Sequence, residues 1–110
     1  MKLAVVGSRS FSDSRLMAEI LQELAPSLVI SGGAEGADSL AEAWARQHEV
    51  ETQIFLPDHA HHRRPYHHRN RLIAEACDEL IAFWDGQSTG TRHTINYARS
   101  IGKPVKIVRF

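Results

Sequence analysis

Three short stretches of this sequence combine glycine with hydroxyl or acidic side chains: "GSRSF" (7–11), "SGGAEGAD" (31–38) and "WDGQSTGT" (84–91). The second holds three glycines and two alanines in eight positions, so little projects from the main chain there. Glycine lets amide N–H groups meet a ligand without an intervening Cβ, and amides at the start of a helix favour an anion, phosphate above all. Each stretch alone is equally well explained as a tight strand-to-helix turn. Together, with Ser8, Ser31, Ser88, Thr89 and Thr91 among them, they point to a phosphate-bearing ligand. The chemistry is neither that of a P-loop nor of the dinucleotide fingerprint. No Gly-Lys-Ser/Thr follows a glycine cluster, and "GGAEGA" misses GxGxxG by one residue.

Two arginines suit the same ligand. Arg9 lies within the first stretch and Arg69 precedes Asn70, and a guanidinium offers phosphate a planar fork of donors. Asp38 closes the second stretch, where it suits a ribose hydroxyl or the start of a helix equally. Five of the seven histidines lie within "DHAHHRRPYHH" (58–68), but no HExxH or Cys/His ligand set appears, and the neighbouring arginines repel a cation. The segment reads as a solvated, pH-sensitive loop, with no metal and no cofactor expected. Trp44 and Cys77 read as core, whereas Trp84 fits either burial or stacking on a base.

The elements that must position these residues follow from periodicity. Short apolar runs at Leu3–Val6, Leu28–Ile30, Gln53–Leu56, Leu80–Phe83 and Val105–Val108 predict strands. Between them lie helical faces. Leu16, Ile20, Leu21 and Leu24 stand behind a Ser12/Asp13 cap; Leu40, Ala41, Trp44 and Ala45 form the second face, and Leu72, Ile73 and Ala76 the third. The last helix is expected from Thr91 to Ser100, stopping at Gly102 with Pro104 beyond. Alternating strands and helices predict an α/β fold: a Rossmann-like three-layer sandwich with a five-stranded parallel sheet in the order 3-2-1-4-5. Continuous apolar runs imply strands buried on both faces. One domain, 1–110, is expected, with only residues 57–68 irregular. All three glycine stretches then leave the C-terminal edge of adjacent central strands, where such sheets bind ligands.

Composition narrows the partners. Thirteen basic residues balance thirteen acidic ones, so bulk charge does not indicate a strongly cationic nucleic-acid binder. One cysteine cannot form an internal disulfide, no apolar run approaches the roughly 20 residues of a membrane span, and no leader pattern is seen. A cytoplasmic protein without membrane partners is expected.

"VVGSRSF", "VISGGAEGADSLAEAWA", "RNRLIAEACDELIAFWDG" and "STGTRHTINYA" occur in order through nearly the whole chain, and together they resemble the SLOG superfamily in its small YspA-like branch. The superfamily also includes DprA DNA-processing proteins and LOG phosphoribohydrolases. The resemblance implies a Rossmann-like fold and a site for a nucleotide or nucleotide derivative. It carries over onto Gly7, Ser8, Arg9, Ser31, Gly32, Gly33, Gly36, Asp38, Arg69, Asn70, Gly90 and Thr91, to which the residues themselves add Ser88 and Thr89. Two departures stand out. LOG proteins resemble this chain at GxGTxxE, but "STGTRHT" places Thr94 where the catalytic glutamate would be, and threonine cannot act as a carboxylate does. "PYHHRN" also replaces a small Ala-Gly pair before Arg-Asn, giving a bulkier, more titratable mouth.

The leading expectation is a binding or sensing module for a nucleotide-derived ligand, with no catalytic residue assigned. One rival is a nucleotide-processing enzyme using Asp38, Asp85 or a loop histidine. The other is a DprA-like binder of single-stranded nucleic acid, tracking the backbone with Arg63, Arg64, Arg69 and Arg71. Self-pairing into a homodimer is also considered, although the sequence locates no interface.

Overall fold

Along β1 (Lys2–Gly7) the side chains alternate between two cores. Leu3 and Val5 pack with Val29, Ile81 and Phe83 under α1 (Ser14–Leu24) and α2 (Ala37–Gln47). Ala4 and Val6 pack with Ile30, Leu80 and Ala82 under α3 (Pro65–Ala76) and α4 (Thr89–Ser100). Successive residues of a strand face opposite sides of the sheet, so a run of small and branched apolar residues fills both layers at once. The sheet consists of β1, β2 (Leu28–Ser31), β3 (Glu51–Ile54), β4 (Glu79–Trp84) and β5 (Val105–Arg109), all parallel, in the order β3-β2-β1-β4-β5. The computed structural model describes all residues, 1–110, and has the expected Rossmann-like three-layer architecture.

Burial on both faces holds for the centre of the sheet but not its edges. All four residues of β3 are exposed, and the strand ends at Ile54, earlier than the apolar run to Leu56 suggested. The stretch expected to be irregular as far as residue 68 is helical from Pro65 onward. Proline at the first helical position costs no hydrogen bond and brings its φ ready-made, so α3 starts inside the histidine-rich segment. Helix α4 likewise begins at Thr89, ahead of the expected Thr91.

One register pair positions the site. Gly7 at the end of β1 lies opposite Phe83 of β4. From β1 the chain builds outward through β2 and β3, then crosses back to lay down β4 and β5 on the other side. The crevice between the C-terminal ends of β1 and β4 is therefore the point at which the winding reverses, where open α/β sheets leave room for a ligand.

Candidate functional site

A cleft of about 600 Å³ opens at this reversal, within the size range of small-molecule sites. Val6 and Ile73 give it apolar surface, and polar groups arrive from four directions. The β1 loop contributes Gly7 to Ser10, the second loop and α2 contribute Ala34 and Asp38, α3 contributes Tyr66, Arg69 and Asn70, and Asp85, Ser88 to Thr91 and Thr94 complete the rim.

Ser8 joins the two central loops. Its amide donates to the Phe83 carbonyl (2.9 Å), and its buried hydroxyl accepts from the Asp85 amide (3.2 Å) and the Ser88 hydroxyl (2.8 Å). Two hydroxyls sharing one bond leave one proton of the pair free for an acceptor in the cleft. Asp85 folds back on its own turn, accepting from the Gln87 and Ser88 amides (both 2.8 Å). Those two amides hold its carboxyl below the usual carboxylate range, so it remains ionised and orders the loop.

The start of α4 is left open by this arrangement. Ser88 stands at the N-cap but makes no capping bond, because its hydroxyl goes to Ser8. The first helical bond runs from the Arg92 amide to the Ser88 carbonyl (3.2 Å). The amides of Thr89, Gly90 and Thr91 precede it, and all three residues line the cleft. Thr94 lies one turn on, where its hydroxyl donates to the Gly90 carbonyl (3.0 Å).

On the opposite wall, Arg69 is mostly consumed by the protein. Its Nη1 donates to the Gly32 carbonyl (2.5 Å), its Nε donates to Asn70 Oδ1 (3.0 Å), and Tyr66 lies against the guanidinium at 5.7 Å. Burial lowers its pKa from the ordinary arginine value, and the neighbouring Asp38 opposes that shift. Asp38 is itself 6% exposed, with Oδ2 accepting from the Gly32 and Ala34 amides (3.1 and 3.3 Å). Burial pushes its carboxyl up to about 6, against the two N–H groups and Arg69, which favour the charged form. Arg9 differs from Arg69 in every respect. It is exposed at the mouth, makes no hydrogen bond within the chain and forms no salt bridge.

The cleft thus gathers Gly7, Ser8, Arg9, Asp38, Arg69, Asn70, Ser88, Thr89, Gly90 and Thr91, and leaves Ser31, Gly32, Gly33 and Gly36 out of its lining. The Ser31 hydroxyl is turned to Glu42. A Cβ on Gly32 would occupy the space taken by the Arg69 guanidinium, and one on Gly33 would meet Leu56 and Ile54. Gly36, at φ +81, passes so close beneath the first loop that a Cβ would lie 2.5 Å from the Ser8 and Arg9 carbonyl oxygens. The bare second stretch therefore serves first to let α3 and the β1 loop approach it. Ser10, Ala34 and Tyr66 were not expected at the site. Tyr66 had a signal: it stands three residues before Arg69 and so shares its face once Pro65 is taken as the start of a helix.

The other candidates lie elsewhere. Trp84 donates from its indole N–H to the Ser88 carbonyl (3.1 Å) between Arg92 and Arg109, outside the cleft lining. Trp44 and Cys77 are buried, and burial pushes the Cys77 thiol up. Arg63, Arg64 and Arg71 line a separate groove with His62, His67 and His68. The histidines are engaged in pairs: His61 with Asp58 at 3.0 Å, and the His62–His68 and His67–His93 rings stacked at 3.6 and 4.1 Å. No helix is long and apolar enough to cross a membrane.

Comparison with known proteins agrees with this architecture. A family model described as "YspA, cpYpsA-related SLOG family" matches residues 1–62. The gene 61 protein of Mycobacterium phage D29 is 33% identical over 116 residues, covering 94% of this chain and 93% of that one. DNA processing protein A (DprA) of Streptococcus pneumoniae superposes with a TM-score of 0.85 at 22% identity, over 99% of this chain and 50% of that one. DprA of Helicobacter pylori, described for its single-stranded DNA binding mode, gives 0.76 at 20% identity, over 97% and 64%. The chain thus spans half of the first DprA structure and under two thirds of the second, and at these identities the likeness is one of fold.

Proposed function

The chain belongs to the YspA, cpYpsA-related SLOG family, and from that premise we propose that it binds a nucleotide or nucleotide-derived ligand by its phosphate in the β1–β4 cleft. The observation that carries the reading is the uncapped start of α4. Three free amides, the spare proton of the Ser8–Ser88 pair and the unpaired Arg9 all stand around one cavity. Amides and a helix dipole orient an anion, and Arg9 supplies charge that neutral donors lack. The phosphate sits over Thr89–Thr91, while the carboxylate of Asp85 stays turned onto the Gln87 and Ser88 amides. Asp38, on the far wall, suits a sugar hydroxyl.

Calorimetric titration of a panel of nucleotides, ADP-ribose and the matching nucleosides tests this reading. Phosphorylated members are expected to bind and nucleosides to bind poorly. Arg9→Ala is expected to weaken the phosphorylated ligands by roughly tenfold, one charge-assisted hydrogen bond, and to leave the nucleosides unchanged. An equal effect on both classes, or no binding by any phosphorylated member, rejects the phosphate site.

One observation favours an enzyme instead: a cleft-lining carboxyl that titrates near 6 is placed to exchange protons. Thr94 offers no second acid, and Asp85 stays ionised. Release of free base from nucleoside monophosphates is therefore expected to stay at background. Turnover near 1 per second, on the order of ordinary enzymes, that disappears in Asp38→Asn would replace the binding reading with a hydrolytic one.

A further inference from the structure

A second concave surface lies on the other side of α3 from the cleft. Its lining consists of His62, Arg63, Arg64, His67, His68 and Arg71, with no acidic and no apolar residue, around a volume of about 280 Å³. The chain as a whole carries thirteen basic and thirteen acidic residues, so this concentration of one sign is local. None of the three arginines forms a salt bridge, and neither they nor the three imidazoles make a side-chain hydrogen bond. Neither carboxylate nearby in sequence forms an ion pair with an arginine of the groove: Asp58 pairs with His61 (3.0 Å), and Glu75 accepts from the Tyr97 hydroxyl (2.7 Å). On α4, the groups against this wall are His93, stacked on His67, and Tyr97, whose ring lies 5.6 Å from the Arg71 guanidinium. Burial lowers the His93 pKa, helped by His67 and Arg71, so it stays neutral and adds no further positive charge.

Like charges held together without a partner repel one another, and a bound anion is what removes that cost. We propose that this groove is a second anion site, distinct from the nucleotide cleft, which takes a small polyphosphate of the di- or triphosphate class. Its lining decides the class. The groove has room for a short phosphate chain, and no apolar surface is present to receive a base. Arg63, Arg64 and Arg71 supply forked donors, and the imidazoles of His62, His67 and His68 add ring N–H donors.

The test uses inorganic triphosphate as the probe, followed by calorimetry and by amide chemical shifts. Shifts are expected at 62–71 and 93. Arg64→Ala combined with Arg71→Ala, both at exposed positions, is expected to weaken triphosphate by roughly tenfold or more without unfolding the domain. Arg9→Ala is expected to leave this site unchanged, which separates it from the cleft. Full affinity in the double variant, or shifts confined to 7–10 and 88–91, overturns the proposal. So does tight binding of a single-stranded oligonucleotide that triphosphate cannot displace, because the groove would then belong to a nucleic-acid track.

Discussion

At the residue scale, two side chains that look alike in sequence do different work. Arg9 and Arg69 both sit beside polar small-residue motifs, and nothing in their types distinguishes them. The structure does so by partners: Arg69 spends Nη1 and Nε on Gly32 and Asn70, whereas Arg9 spends nothing. That difference was illegible because the carbonyl Arg69 meets lies 37 residues away in the chain. Asp38 was legible as a candidate for the cleft and for acid–base work, but the direction of its pKa shift was not, since that depends on burial. The consequence for stability has a definite sign. Its folded pKa is raised from 3.8 to about 6, so the folded state holds a proton that the unfolded state has released. Stability from this group therefore falls as pH rises from about 4 to about 6, and the cost, about 3 kcal/mol at most, is complete above that window. Asp38→Asn keeps an oxygen for the Gly32 and Ala34 amides and removes the charge. Urea unfolding is expected to show the variant more stable than wild type at pH 8 and indistinguishable from it at pH 4. A constant difference across that range would mean that Asp38 is not the titrating group.

At the scale of elements, the glycine-rich stretch between β2 and α2 shows how a motif read as a ligand floor serves packing first. The strands and helices on either side followed from periodicity, because each must present an apolar face to a neighbour. The loop followed only in part. Composition says that side chains are absent, not which neighbour uses the space. Gly36 needs its positive φ and lies 2.5 Å, at its missing Cβ, from backbone oxygens that cannot swing away. Gly33, at φ +71, would meet the end of the Leu56 side chain at 2.8 Å, which can move. Gly36→Ala is therefore expected to cost about 3 kcal/mol or more in chemical unfolding, and Gly33→Ala about 1–2 kcal/mol. Nucleotide affinity should survive in Gly33→Ala, since that residue faces away from the cleft. Loss of binding in a folded Gly33→Ala protein would bring Gly33 itself into the site. Helix α3 carries the converse lesson: its histidines and arginines hid a helical start that Pro65 marked, and with it the placement of Tyr66.

At the scale of the whole molecule, the site and the stability share one location. β1 and β4 are buried on both faces, and Phe83 in β4 stacks on Phe11 of the first loop at 4.6 Å. The sequence announced the sheet order, because five apolar runs separated by helices leave few right-handed arrangements. It did not announce which strands lie at the edge, since "TQIFL" looks as apolar as a central strand until its neighbours are known. That asymmetry predicts a gradient. Phe83→Ala removes a fully buried ring and is expected to cost about 3–5 kcal/mol, a large share of the roughly 5–15 kcal/mol available to a domain. Ile54, 42% exposed on β3, is expected to cost about 1 kcal/mol or less when cut to alanine. Native-state hydrogen exchange reads the same gradient directly. The amides of β1 and β4 should open only with global unfolding, and those of β3 by local fraying. A phosphorylated ligand should then slow exchange at Ser8 and at Thr89–Thr91 without touching β3, because the cleft is lined from the ends of β1 and β4 and by no residue of β3. Exchange of β3 in step with β1 would show that the sheet opens as one unit and that rigidity at the site is not a property of the central strands.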